Sequence, residues 1–168
     1  MSNASVQQLR AKTDAVWANL TRQLQGMEPH LETADAPGEW TTRQVLAHLL
    51  FEPGWDARAK LETFAARDYP TLALHPGALH LTDERRRMTL AQLVGALDAQ
   101  RRAVFAYLES LPEADLAQRK VRIPALKPFL GTEEVSLAVY TVALFEFHWN
   151  DHAGQLAKIR TAAGLPAA

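Results

Sequence analysis

The chain has 168 residues, 48% of them hydrophobic and 22% charged, with a formal net charge of −1. That length suits one domain over residues 1–168 with a sizeable core, and the charge balance offers nothing to attract nucleic acid or an anionic membrane. Cysteine is absent, which excludes disulfides, thiolate metal ligands and a protein-borne thiol nucleophile. No 18-residue apolar run exists to span a bilayer. The opening "MSNASVQQLR" lacks the apolar segment of a signal peptide, so a cytoplasmic location is expected.

Four stretches carry apolar residues at helical period, and nothing alternates as a strand should. The first covers about residues 4–27, with Val6, Leu9, Val16, Trp17, Leu20, Leu24 and Met27 on one stripe and Gly26 and Pro29 as stop signals. The second opens at "WTTRQVLAHLL", where Thr41 and Gln44 have capping-box spacing, and runs to about Arg67. "EPG" at 52–54 interrupts it, because proline cannot donate to the carbonyl four residues back. The third starts at Thr89, again with a glutamine three residues on, and reaches about Ser110 through Leu93, Leu97, Val104 and Leu108. The fourth runs from about Thr132 to Ala162 on the stripe Val135, Ala138, Val142, Phe145, Trp149, His152, Leu156, Ile159. Steps of three and four are those of a bundle helix. Between the helices lie a loop at 28–40, a long connection at 68–88, and a proline-rich segment at 112–131 in which "KVRIP" reads as extended. The expected fold is an all-α four-helix bundle.

Two histidines disturb the last stripe. In "FHWNDHAGQLAKIR" His152 falls on it and His148 borders it, one turn earlier. A single histidine on such a face is usually a satisfied core residue. Two are harder to bury, because each neutral ring needs partners and neither can be charged cheaply. Imidazoles at i and i+4 project toward one point and can share a divalent ion. The zincin motif is excluded, since Trp149 stands where its glutamate would be. The best third ligand is His48, beside the inward face of the second helix.

Helix geometry tests that choice. His48 lies ~10 Å from the start of its helix, whereas the pair lies roughly 24–30 Å into theirs. In an up-down-up-down bundle these heights do not match. If the 68–88 connection crosses the bundle, helices two and four run antiparallel and the heights agree. About 20 residues can stretch ~65 Å, enough for the crossing. The expected topology is therefore up-down-down-up.

The segments "WTTRQVLAHLLFEPGW" and "FHWNDHAGQLAKIR" together resemble the paired signatures of the DinB-like (YfiT-like) proteins. That resemblance implies a bacterial four-helix bundle whose three histidines bind zinc or nickel, here His48, His148 and His152, with Gln155 near the site and a homodimer as the assembly. It further implies a transferase or hydrolase using a low-molecular-weight thiol of the bacillithiol type on small electrophiles. Without cysteine in the chain, such a thiol would have to be a co-substrate. A non-catalytic metal- or small-ligand-binding protein tied to stress remains the alternative. The connections 68–88 and 112–131 match no pattern, so the resemblance does not extend to a substrate.

Other residues have weaker chemical readings. Glu52, one turn after His48, could be a ligand or base, but an acidic residue before Pro53 favours a helix cap. Trp55 and Trp149 could wall a pocket or simply fill core. His75, His80, Asp151, Asn150 and the run Arg85-Arg86-Arg87 are expected to face solvent, although either loop histidine could reach over the site and the arginines could meet a substrate carboxylate or phosphate.

Overall fold

The structure, a computed structural model, describes residues 3–168. Helix α1 (Ala4–Gln23) starts where the Asn3 side chain accepts the Val6 N–H. It ends three residues before Gly26, whose φ is 77°. The expected capping box forms at Thr41 and Gln44 and opens α2 (Thr42–Leu49). The second predicted helix is in fact two short ones. After the "EPG" break the chain restarts as α3 (Ala57–Glu62), capped by Asp56, which accepts the Ala59 N–H. Glu52 is therefore not the cap. An aspartate directly before the helix does that work, being short enough to reach the first turn.

The long connection is less irregular than its sequence suggests, since it contains α4 (Asp83–Arg87), capped by Thr82. Helix α5 (Leu90–Glu109) then begins at the expected Thr89–Gln92 capping box. The proline-rich segment holds α6 (Asp115–Gln118), strand β1 (Lys120–Arg122) and α7 (Lys127–Leu130). β1 pairs antiparallel with β2 (Glu134–Ser136), Val121 opposite Val135. This small sheet takes the residues expected to start the last helix, which begins instead at α8 (Leu137–Val142), with the Ser136 hydroxyl accepting the Val139 N–H. The helix continues as a π segment (Ala143–Trp149) and finishes as α9 (Asn150–Ala162). Together α1, α2–α3, α5 and α8–α9 make the four-helix bundle.

Side-chain pairs fix the helix directions. Against α5 and the turn after it, α1 pairs Ser5 with Glu113, Arg10 with Glu109 and Asp14 with Arg101, and so runs antiparallel. Against the last helix it pairs Lys12 with Glu146, Trp17 with Trp149 and Arg160 with the Gln23 carbonyl, and so runs parallel. Arg43 bonds the Met88 carbonyl while Gln100 bonds that of Leu49, so α2 and α5 are parallel. The bundle is up-down-down-up, and the 68–88 connection crosses it.

Phe105, Phe145 and Trp149 lie at the centre, each with no solvent exposure, beside Leu20, Leu46, Leu49, Leu93, Leu97 and Leu108. On the last helix Leu137, Thr141, Phe145, Trp149 and Ala153 are all buried, each four residues after the one before. An α-helix would carry that row ~40° further round its axis at each step. The π segment, with its wider i→i+5 turn, absorbs the drift. It also displaces the predicted stripe, leaving Ala138 and Val142 only half-buried. Replacing Phe105 with alanine should lower stability by ~3–5 kcal/mol through the cavity it opens. Thr89→Ala should remove only ~1 kcal/mol, the usual worth of a cap. Urea denaturation of the two variants checks the order; equal losses would contradict this placement of the core.

Candidate metal centre

His48 stands in the last turn of α2 and is 7% exposed. His148 lies in the π segment and His152 in α9, both half-buried. The rings converge: centroids are 5.0 Å apart for His48 and His148, and 4.9 Å both for His48 and His152 and for His148 and His152. One ring nitrogen from each lies within 4.8 Å of the other two. The antiparallel run of α2 against the last helix is visible in the rings themselves. Trp40 stacks on His152, while Phe51 at the other end of α2 stacks on His148.

Hydrogen bonds prepare two of these rings. His48 donates its Nδ1–H to the Ala78 carbonyl at 2.6 Å, and His152 donates its Nδ1–H to Gln155 Oε1 at 2.8 Å. Each donation leaves an Nε2 lone pair for a cation. The Nε2 atoms of His48 and His148 are 2.9 Å apart; two lone pairs so placed repel unless a proton or a cation lies between them. Burial, then the nearby His152 and His48, push the His148 pKa down to about 3. Burial also lowers that of His152, against the bond to Gln155. Three converging imidazoles, two of them oriented by hydrogen bonds, fit the donor set of a divalent ion.

Several neighbours carry no motif in the sequence. Trp40 packs against His48 as well as His152, at 4.9 and 6.2 Å between centroids. Phe51 stacks on His148 at 6.0 Å and touches Trp55. The only signal for Phe51 is its place one turn after His48, and Trp40, eight residues before His48, carries none. His80, expected in solvent, is half-buried and stacks on His48 at 6.2 Å, while His75 is exposed as expected. Burial lowers the His80 pKa, against the pull of the Glu52 carboxylate. Tyr140 is buried and its pKa is pushed up to about 12, by burial first and Glu52 second. Glu52 is itself exposed, and so is Asp151.

Trp149 is core, without exposure, and Trp55 is half-buried. Of the three arginines, Arg86 and Arg87 face solvent, but Arg85 turns inward and donates to main-chain carbonyls beside the site. An open cleft of about 620 Å³ borders the turn after His48; Glu52, Trp55, Arg85 and Gln100 line it, and the three histidines do not. No helix among the described residues is long and apolar enough to cross a membrane.

Comparison with known proteins places this geometry in context. A model of the DinB superfamily matches residues 5–156. The fold matches a solved structure of YfiT from Bacillus subtilis, described as a probable metal-dependent hydrolase with an unusual four-helix bundle topology. The TM-score is 0.65 at 19% identity, over 99% of this chain and 91% of that one. No curated protein matches the chain.

The lowered histidine pKa values have a definite pH signature. The unfolded chain takes up a proton on His148 as pH falls through 6.5, whereas the folded chain resists until about 3. Below 6.5 the unfolded state therefore binds more protons, and stability falls with pH down to about 3. In metal-free protein the urea midpoint should drop over that window, and less steeply in His148→Gln. Equal slopes would show that His148 is not held neutral.

Proposed function

The chain belongs to the DinB superfamily, and we propose that it is an enzyme in which His48, His148 and His152 hold one divalent ion, zinc or nickel, for chemistry on small electrophiles. The observation that carries this reading is the convergence of three imidazoles whose far nitrogens are committed, in two cases, to hydrogen-bond acceptors. Three imidazoles leave a coordination position open, where such an ion lowers the pKa of a bound water or thiol and polarises an electrophile.

The protein's own groups shape what can happen there. Ala78 and Gln155 hold two rings in one tautomer, which fixes the direction of the lone pairs. Trp40 and Phe51 cover the triad on two sides with apolar surface and so limit water. Glu52, on the turn after α2, is the acidic side chain assigned to take a proton from the attacking group. The description of YfiT favours hydrolysis. The absence of cysteine fits equally a transfer to a small-molecule thiol of the bacillithiol type. A homodimer, implied by the resemblance alone, is read directly by light scattering.

Elemental analysis of untagged protein should find about one divalent ion per chain. Alanine at His48, His148 or His152 should remove it. Glu52→Gln should keep the ion but lower turnover ~10²-fold, the usual worth of a general base. A panel of esters, amides and thiol–electrophile pairs separates hydrolysis from thiol transfer. Tight metal retention without turnover on any of them would assign the protein to metal or ligand binding instead. Absence of metal from protein grown with zinc and nickel would overturn the reading.

A further inference from the structure

Three residues other than glycine hold positive φ among the described residues: Phe51 at 61°, Tyr69 at 47° and His80 at 53°. Bulky side chains avoid this left-handed region, so each must be held there by its surroundings. Two of the three are the residues whose rings flank the triad, Phe51 on His148 and His80 on His48. The carbonyls of the same two residues converge on one atom. Arg85 Nη1 donates to Phe51 O at 2.5 Å and to His80 O at 2.8 Å, and it also reaches Ala47 O at 3.0 Å.

Arg85 is in turn fixed from behind. Thr82 caps its helix, and Arg43 donates from Nη1 to the carbonyls of Arg85 and Met88. The consequence reaches His48 through two residues of chain, since His80 follows closely on Ala78, whose carbonyl takes the His48 Nδ1–H.

We propose that Arg85 is the positioning residue of this centre: by binding the Phe51 and His80 carbonyls it holds both strained residues in place, and through Ala78 it sets the tautomer of His48. The inference rests on the metal-binding reading for its effect on affinity, but not for its effect on the tautomer. An arginine suits the task because its planar fork, always charged, serves several carbonyls at once in a fixed geometry.

The test compares wild type with Arg85→Gln, Arg85→Lys and, as a control, the exposed neighbour Arg86→Gln. Imidazole ¹⁵N chemical shifts in metal-free protein report whether His48 carries its proton on Nδ1. Titration with Co²⁺ alone reports affinity and coordination through its visible absorption. Arg85→Gln should convert His48 from one tautomer to a mixture and weaken Co²⁺ binding about 10–100-fold, the usual effect of losing such support. Arg85→Lys, a single ammonium with less reach than a guanidinium, should fall between it and wild type, and Arg86→Gln should match wild type.

A folded Arg85 variant that keeps the wild-type His48 shifts and binds Co²⁺ within twofold would overturn the proposal. If Arg85→Gln does not fold, Arg85→Lys decides by the same two measurements. Should wild type itself bind no Co²⁺, the metal reading fails while the ¹⁵N comparison still decides the role of Arg85.

Discussion

An imidazole can be kept out of water only if it stays uncharged and its nitrogens find partners, and here three of them meet. Much of the structure around them follows from that condition. His48 needs an acceptor for its Nδ1–H and finds it in the Ala78 carbonyl, which lies in the connection between the second and third bundle helices. The connection therefore cannot hang loose. Near its start Leu72 donates to the Arg122 carbonyl and Arg122 to that of Pro70, which ties it to the small sheet. Near its end Arg43 holds the carbonyls of Arg85 and Met88. A segment that reads as a spacer is thus tied near both ends, with the His48 acceptor between the two anchors.

The same connection decides which helices face each other. By crossing the bundle it makes α2 parallel to α5 and antiparallel to the last helix, so that Trp40, His48 and Phe51 descend past His152 and His148 in turn. Parallel neighbours would have left His48 and the pair at opposite levels. The crossing also delivers Arg85 to the C-terminal end of α2, where α2's own last carbonyls lack helical partners. Arg85 meets the Ala47 and Phe51 carbonyls there. A single crossover thus supplies the direction of the ligand helix, an acceptor for its histidine and a cation for its end.

What could be read from the sequence follows the reach of the interactions involved. The capping boxes at Thr41 and Thr89 are complete within four residues, and both formed as expected. The crossing could be inferred because helix rise is regular and two heights had to match. Gln155 was legible only through the family resemblance, and it bonds His152 from one turn away. Arg85 was not: nothing in three consecutive arginines says which one turns inward, and its acceptors are main-chain carbonyls that carry no residue signature. Glu52 misled because a break at proline invites an acidic cap, whereas the chain leaves the helix after Leu49 and restarts only at the Asp56 cap. The β1–β2 pair was half legible, in "KVRIP" but not in Glu134–Ser136, whose pairing depends on a partner 14 residues away. The last helix held a clue that an average period conceals, namely five buried residues four apart.

That four-residue row shows how core and site share one helix. Phe145 and Trp149 must stay at the centre of the bundle, while His148, directly before Trp149 in the chain, must face the triad. A uniform α-helix carrying Leu137, Thr141, Phe145, Trp149 and Ala153 would have rotated one end of the row out of the core. Widening one stretch into a π segment keeps the row buried and leaves His148 half-exposed at the meeting point with His48. The accommodation has a visible cost. The Trp149 indole N–H is buried with no hydrogen-bond partner among the described residues, and its ring packs against those of Trp17 and Phe145; such a group costs ~1–3 kcal/mol. π segments and unmet donors are rare in cores because they weaken them. Both occur here next to His148, where the helix serves the site as well as the core.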